Sequence, residues 1–176
     1  MKKIDFEIKY TLAFCIANRN VLMLKRVKPP NINLWNGLGG KINSTETPFE
    51  SIQRELFEEA GIVVHQENSD YKGIVKWTIL EDKRVGGTHL FLIRLKGKTL
   101  ENKTLTTDEG TLAWKPQEWL SDGSNTEIVE NIPIFFPYAI NSKKPKLFEF
   151  KYIKNNQLVE YKIKDLYSIP FDWEGS

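Results

Sequence analysis

Hydrophobic and polar residues alternate with period two in residues 147–153 and 157–163, and several other short segments are rich in strand-forming residues, which predicts a β-rich fold. The predicted strands are residues 8–17, 21–24, 71–80, 88–95, 111–115, 147–153 and 157–163. Asparagine-containing tripeptides at 18–20 and 154–156 are typical of hairpin turns, and the charged segment 81–87 is predicted as a third turn. Residues 28–33 are predicted to form a loop, because two adjacent prolines prevent regular strand pairing.

Residues 48–60 have the period of an amphipathic helix instead. Phe49, Ile52, Leu56 and Ala60 recur at helical spacing and form one apolar stripe, which predicts that this side of the helix packs against the rest of the protein. Lesser helices are predicted at 116–120 and, within the apolar stretch 128–140, around 135–140.

Both ends of the main predicted helix carry capping signals. Thr47 can cap the first turn, Pro48 suits the first helical position, and Glu50 completes a capping box. Gly61 suits the left-handed conformation that commonly ends a helix. These signals bound the helix at Pro48 and Ala60.

Three glutamates lie on a different side of this helix from the apolar stripe. Glu55, Glu58 and Glu59 are spaced i, i+3 and i+4, so their like charges repel one another unless something neutralises them. A divalent cation would do so, and hard cations such as Mg²⁺ prefer carboxylate oxygens and bridge to substrate phosphates. The alternative is an ordinary solvated face. The adjacent Gly39 and Gly40 upstream of the helix, and Arg54 within it, favour the metal site.

Composition narrows the classes of partner. The net charge is +2 with acidic and basic residues interspersed, which gives no electrostatic case for a nucleic-acid polymer, whereas a small phosphate-bearing molecule remains compatible. Cys15 is the only cysteine and stands in an apolar run, which predicts a buried thiol and fits a reducing cytoplasm. The polar residues 1–5 lack the apolar centre of a signal peptide, and no run approaches the ~18 apolar residues of a membrane span.

One segment carries a family pattern. Residues 40–62, GKINSTETPFESIQRELFEEAGI, resemble the complete Nudix box, which reads Gly, five residues, Glu, seven residues, Arg-Glu-apolar-any-Glu-Glu-any-Gly-apolar. The lead-in WNGLGGK at 35–41 resembles that of the MutT-like 8-oxo-dGTP diphosphatases. Residues 107–114 and the closing hairpin 148–163 are also similar to that branch, so the resemblance covers roughly residues 10 to 164.

The resemblance implies an α/β fold, namely an α/β/α sandwich with a mixed sheet and the box helix. The whole chain, 1–176, is then expected to form one domain that includes the hairpin at about 147–163. It implies hydrolysis of a nucleoside diphosphate linked to a further group. In the MutT-like branch a nucleoside triphosphate yields the monophosphate and pyrophosphate with Mg²⁺, or Mn²⁺ in its place.

The resemblance also assigns metal-binding roles. Glu55, Glu58 and Glu59 would hold the metal together with the carbonyl oxygen of Gly39. Arg54 would orient these glutamates through charge-assisted hydrogen bonds. Its alternative role is an i, i+4 salt bridge, with Glu50 or Glu58 as the partner, and the two roles are compatible.

Proton transfer has more than one candidate. Glu58 or Glu59 would accept a proton from the attacking water. Glu109 matches an acidic residue that some family members use as a metal ligand or base, and otherwise it is an exposed turn residue before a strand. Glu46 is expected to be structural or outer-shell. His89 is expected to make a core or edge hydrogen bond, and His65 has no evident partner.

Substrate recognition is the least determined part of the site. Asn36 matches an asparagine that contacts the purine in the human-type enzymes, although such a residue also commonly caps its own backbone. Lys41 could pair with a phosphate or be an ordinary surface lysine. The human-type enzymes carry a late tryptophan and an aspartate pair, and here the matching positions are Val129, Asn131 and Ile132. The missing aspartates weaken the inference that the base is an oxidised purine.

A stacking surface for the base is the remaining candidate. Phe135, Phe136 and Tyr138 could stack on a purine, although an aromatic cluster is more often part of the core. Other substrates within the family are ADP-ribose, a dinucleoside polyphosphate or capped RNA. A Nudix-fold regulator without catalysis is a third hypothesis, and the retention of all the box glutamates argues against it. Oligomeric state is left open.

Overall fold

The computed structural model describes residues 4–96 and 104–173. Its strands are β1 (Tyr10–Ala17), β2 (Asn20–Arg26), β3 (Trp35–Asn36), β4 (Ser69–Ile79), β5 (Val85–Arg94), β6 (Leu105–Thr107), β7 (Gly110–Pro116), β8 (Lys146–Ile153) and β9 (Gln157–Asp165). Its α-helices are α1 (Pro48–Ala60), α2 (Gln117–Leu120) and α3 (Ile132–Asn141), and a 3₁₀ turn spans Gln66–Asn68.

The strands form one mixed sheet. Their order is β6-β7-β2-β1-β5-β4-β8-β9, and β3 pairs with β2 beside this path. The pairs β1–β5 and β4–β8 are parallel, and the remaining neighbours are antiparallel. The predicted C-terminal hairpin is therefore confirmed as β8 and β9, and it continues the same sheet through its pairing with β4.

Helices cover both faces of this sheet. Successive side chains of a strand point to opposite faces, and in β1 Phe14 packs in one apolar cluster while Cys15 packs in the other. The cluster around Phe14 includes the buried residues of α2 and α3, and the cluster around Cys15 includes Ile52 and Leu56 of α1. The predicted α/β/α arrangement with a mixed sheet is confirmed.

Helix α1 has the predicted bounds and caps. The Thr47 hydroxyl accepts a hydrogen bond from the Glu50 N–H, and the Glu50 carboxylate accepts one from the Thr47 N–H. Gly61 has φ +66°, the predicted left-handed conformation. Of the apolar stripe, Ile52 and Leu56 are fully buried, and Phe49 and Ala60 are partly buried against the same cluster.

Some element boundaries differ from the sequence prediction. The turn predicted at 81–87 is shorter, because Val85, Gly86 and Gly87 pair with β4 as the start of β5. Strand β6 was not predicted; its three residues pair with β7 across a tight turn. Helix α3 begins earlier than predicted, since a proline near its first position is compatible with helical geometry. Across the described residues, no helix is both long and apolar enough to span a membrane.

Cys15 is buried as predicted, and it gives a direct test of core packing. Its side chain has no exposed surface, and burial raises the pKa of its thiol well above the ordinary value. We expect no reaction with Ellman's reagent in the native protein and full reaction in denaturant, because the thiolate is the reactive species. Stoichiometric labelling of the native protein, followed by absorbance, would contradict this packing.

Candidate active site

The glycine pair before α1 runs beside β1 at very close range. The Ala13 N–H donates to the Leu38 carbonyl oxygen at 2.7 Å, and the Thr11 N–H donates to the Gly40 carbonyl oxygen at 2.8 Å. Gly39 between them has φ +147°, and a Cβ atom there would lie 2.1 Å from the Thr11 carbonyl oxygen. Only glycine fits this position without displacing backbone.

Two glutamates of α1 converge on this glycine pair. The Glu59 carboxylate accepts a hydrogen bond from the Gly39 N–H at 3.0 Å. The Glu55 carboxylate lies against Gly40, where a Cβ atom would come 2.4 Å from its Oε1. Glu58, one turn along, has a side chain that is 59% exposed. The structure therefore places the predicted Gly39, Glu55 and Glu59 together, with Glu58 beside them facing solvent.

Arg54 links the carboxylates of this region. Its guanidinium donates to Glu46 at 2.6 Å, to Glu55 at 2.7 Å and to Glu58 at 3.3 Å. It also donates to the Lys41 carbonyl oxygen at 3.1 Å. The Glu58 contact is the i, i+4 salt bridge considered from the sequence, and the orienting contacts coexist with it.

The alternative pairing of Arg54 with Glu50 does not form, because the Glu50 carboxylate completes the helix cap. The pKa of Glu46 is lowered to about 2, chiefly by its hydrogen bond with Arg54. The pKa of the Arg54 guanidinium is raised in turn, chiefly by Glu46. Glu46 is thus a structural partner of Arg54, in agreement with the outer-shell prediction.

A buried polar pair supports this arrangement and was not predicted. The hydroxyls of Thr11 and Ser51 are 3.4 Å apart, and the Thr11 hydroxyl donates weakly to the Gly40 carbonyl oxygen at 3.5 Å. Ser51 is fully buried, and its hydroxyl also contributes a hydrogen bond that lowers the pKa of Glu46. The available signal was a small polar residue next to the apolar stripe of α1.

Glu59 is the most electrostatically perturbed carboxylate of the group. Burial is the largest cause and raises its pKa to about 8. The Gly39 N–H opposes this shift, while the negative charge of Glu55 and, more weakly, that of Glu109 add to it; Arg26 acts in the opposite sense. A bound cation would stabilise the ionised form of a carboxylate that is partly buried among like charges.

The donor atoms suit a hard divalent cation. Three carboxylates and the Gly39 carbonyl oxygen are the oxygen ligands that Mg²⁺ and Mn²⁺ prefer. Within residues 4–96 and 104–173, no three acidic, histidine or cysteine side chains stand close enough to form a ready-made ligand set. Arg54 pairs with both Glu55 and Glu58, and the Glu58 side chain is the exposed one of the three glutamates. The residues fit the ion in the chemistry of their donor atoms.

Glu109 lies in the turn between β6 and β7. Its carboxylate pairs with the Lys28 ammonium at 2.6 Å, and its carbonyl oxygen accepts from the Val27 N–H at 3.1 Å. Its negative charge contributes weakly to the raised pKa of Glu59. Glu109 is therefore a partly exposed turn residue before a strand, as one interpretation of the sequence had it, and its role as a metal ligand or base stays a prediction.

The two candidate substrate contacts differ in their surroundings. The Asn36 carboxamide oxygen accepts a hydrogen bond from the Gly37 N–H at 2.9 Å, which is the backbone cap considered as an alternative. The amide NH₂ of Asn36 is a different group and keeps its donor capacity for a base edge. Lys41 is exposed, and its carbonyl oxygen, rather than its ammonium, is the group that Arg54 contacts.

Phe135, Phe136 and His89 belong to the core. Phe135 and Phe136 are buried and pack on Phe14, which is the core role that the sequence favoured over stacking, whereas Tyr138 is 52% exposed. The His89 ring is within hydrogen-bond distance of the Tyr71 hydroxyl at 2.9 Å, and burial lowers its pKa to about 4. The predicted structural role of His89 is confirmed.

His65 and the position that replaces the aspartate pair are also structural in part. The His65 N–H donates to the Asn68 side chain at the start of the 3₁₀ turn. Ile132 is buried, while Asn131 hydrogen-bonds the Tyr152 hydroxyl and thereby opposes the rise in the Tyr152 pKa that burial causes. Asn131 and Ile132, the positions matched from the sequence to the aspartate pair, thus take part in hydrogen bonding and packing.

Most of the chain is similar to known proteins. The NUDIX domain profile matches residues 9–130. The oxidized purine nucleoside triphosphate hydrolase of Danio rerio is 24% identical over 163 residues, which cover 89% of this chain and 94% of the relative.

Two solved structures show the same fold. A mutator MutT protein from Bacillus halodurans superposes with TM-score 0.71 at 23% identity, covering 88% of this chain and 95% of that one. A bifunctional NMN adenylyltransferase/ADP ribose pyrophosphatase from Francisella tularensis, solved with AMP and a Mn ion, has TM-score 0.57 at 22% identity, with 77% and 43% of the two chains covered. Since the profile spans more than half of the sequence and includes the glutamate helix, the chain belongs to the NUDIX family of hydrolases.

Proposed function

We propose that this protein is a divalent-metal-dependent hydrolase of nucleoside triphosphates, releasing the monophosphate and pyrophosphate, with an oxidised purine such as that of 8-oxo-dGTP as the first candidate base. The observation that carries the proposal is the convergence of Glu55 and Glu59 on Gly39 and Gly40, with Arg54 bridging the carboxylates. The name of the Danio rerio relative supports the choice of substrate class.

The proposed chemistry assigns each group of the site a part. A bound Mg²⁺ or Mn²⁺ would neutralise the phosphate oxygens and lower the barrier to attack by water. Glu55, Glu58, Glu59 and the Gly39 carbonyl oxygen are the proposed ligands. Arg54 holds Glu55 against Gly40, and therefore limits the positions available to the carboxylates.

Proton transfer falls to a carboxylate of the same region. Glu58 or Glu59 is the proposed acceptor of the proton of the attacking water, with Glu109 as the other candidate. Of Glu58 and Glu59, Glu59 is the partly buried one, and its carboxylate accepts a hydrogen bond from the Gly39 N–H. The Lys28 ammonium beside Glu109 and the exposed Lys41 are the cations proposed to meet the polyphosphate.

The base is the open part of the assignment. The aspartate pair of the human-type enzymes is absent, and Asn36 offers an amide donor rather than a carboxyl group. ADP-ribose is the second candidate, because the Francisella tularensis neighbour is named as an ADP ribose pyrophosphatase. A purely regulatory role is disfavoured because the three box glutamates are all present.

A release assay separates these substrates. Purified protein with Mg²⁺, and in parallel with Mn²⁺, is incubated with 8-oxo-dGTP, the ordinary nucleoside triphosphates, ADP-ribose and diadenosine polyphosphates. Pyrophosphate and phosphate are then quantified separately. Highest kcat/KM for 8-oxo-dGTP with pyrophosphate release supports the proposal. Preference for ADP-ribose, or release of phosphate from the triphosphates, contradicts it and leaves the family assignment intact.

Asn36→Ala tests base recognition. The change removes the amide donors, so we expect KM to rise for one base more than for the others, by about 10-fold or more, as for loss of a hydrogen bond in a binding site. Steady-state kinetics with four triphosphates measures this. Lys115→Ala serves as a control for changes in this part of the sheet, because the Lys115 ammonium lies over the rings of Trp35 and Trp119. An equal effect on every nucleotide would remove Asn36 from the recognition set.

A further inference from the structure

Residues 166–173 cross the sheet after its last strand. We call this segment the strap. It begins at Leu166, whose N–H donates to the Pro145 carbonyl oxygen at 3.0 Å, just before β8. Leu166, Ile169, Phe171 and Trp173 then pack against the apolar cluster that includes α1. The strap lies outside residues 9–130, the part that the family profile matches.

The middle of the strap is anchored on the sheet. The Phe171 ring meets Tyr71 of β4 at 5.0 Å and 90°, and His89 of β5 at 5.2 Å and 83°, measured between ring centroids and planes. Edge-to-face contacts of this kind stabilise beyond the apolar area that they bury. Phe171 therefore fixes the strap on the adjacent strands β4 and β5.

The end of the strap reaches the helix. Trp173 meets Phe49 of α1 at 5.1 Å and 78°, and Phe91 of β5 at 5.6 Å and 56°. Phe49 and Phe91 also contact each other at 6.1 Å. The first turn of α1 thus lies in an aromatic cluster made by the sheet on one side and the strap on another.

Phe49 is the apolar anchor of this end of the helix, beside the buried hydroxyl of Ser51. The fully buried residues of the helix are Ser51, Ile52 and Leu56, so Phe49 is the apolar contact of the first turn. An α-helix moves as a nearly rigid body over two or three turns, and a shift at its first turn is carried to Glu55 and Glu59. Displacements of about 1 Å in a reacting geometry reduce turnover by roughly 100-fold.

We propose that the strap is a positioning element of the catalytic helix, with Trp173 as the positioning residue, holding α1 in the register in which its glutamates meet Gly39 and Gly40. The expected effect on catalysis rests on the proposed function. The packing of the strap on α1 is independent of that function. The competing description is a strap that only covers apolar surface.

Trp173→Ala tests the two descriptions. We expect amide hydrogen exchange in residues 51–60 to accelerate by about 10-fold, the size of effect that losing an aromatic pair produces, while exchange in β8 and β9 stays unchanged. We also expect the Mn²⁺ half-saturation concentration, measured by electron paramagnetic resonance, to rise, and kcat to fall with little change in KM. Trp173→Phe keeps an aromatic ring and should restore most of each value.

A control variant removes comparable packing from the other face of the sheet. Ile163 of β9 packs against the apolar cluster that includes α3 rather than α1. Ile163→Ala should therefore lower the thermal unfolding midpoint without changing exchange in residues 51–60 or the Mn²⁺ half-saturation concentration. Unchanged helix exchange in Trp173→Ala overturns the proposal, as does faster exchange with an unchanged Mn²⁺ half-saturation concentration. Failure of the proposed function would instead show in the wild-type protein, as absent Mn²⁺ binding and absent hydrolysis.

Discussion

Glu59→Gln and Glu58→Gln are each expected to lower kcat by about 10²- to 10⁴-fold, the range that removal of a general base produces. Glutamine keeps the shape of the side chain, and its carbonyl oxygen can still accept from the Gly39 N–H in the case of Glu59. What it loses is the negative charge that holds a cation and accepts a proton. Folding should therefore remain intact while turnover falls.

The same variants separate metal binding from stability. Glu59→Gln removes a charge that burial penalises, so its thermal unfolding midpoint without metal should equal or exceed that of the wild type. Added Mg²⁺ or Mn²⁺ should raise the midpoint of the wild type more than that of the variant. Glu67→Gln is the matched control, because Glu67 is an exposed glutamate of the 3₁₀ turn. It should change neither the midpoint without metal nor the rise that metal produces. Near-normal hydrolysis in both site variants would contradict the assignment.

Gly39→Ala is expected to cost both stability and activity. The residue has φ +147°, which an L side chain rarely adopts, and the new Cβ atom would meet the Thr11 carbonyl oxygen at 2.1 Å. Backbone strain and overpacking of this kind together cost about 3 kcal/mol. For a chain of this size we expect the unfolding midpoint to fall by roughly 6 to 12 °C. The Gly39 N–H would also move away from Glu59.

Calorimetry and a hydrolysis assay check this expectation. Gly123→Ala is the control, because a Cβ atom at Gly123 meets nothing within 4 Å. Gly40→Ala is an informative third variant, since its Cβ atom would clash with the Glu55 carboxylate rather than with backbone. It should therefore lower activity more than stability. A Gly39→Ala protein with wild-type midpoint and turnover would show that residues 38–40 beside β1 move without consequence.

Local features of α1 were predictable because their causes are local. The Thr47 cap, the Gly61 C-terminal residue and the apolar stripe each depend on residues within one or two helical turns. The same holds for the Glu58 salt bridge with Arg54. The closing hairpin β8–β9 was predicted from alternation and its turn, and it formed with nearly the predicted bounds.

The errors have physical causes as well. The start of β5 was assigned to a turn because its glycines carry no strand signal, and only pairing with β4 draws them into the sheet. Phe135 and Phe136 were open to a stacking role, since an aromatic cluster in the sequence does not show which side faces the core. Their packing on Phe14 in the structure shows that both rings face the core.

By itself, the sequence determined the family pattern, the glutamate face of α1 and the β-rich class, because motif spacing and periodicity are properties of neighbouring residues. Only the tertiary structure brought Gly39 to Glu59, Thr11 to Ser51 and Trp173 to the first turn of α1. These contacts join residues far apart in the chain. They depend on strand order and register across the whole sheet, which no local pattern encodes.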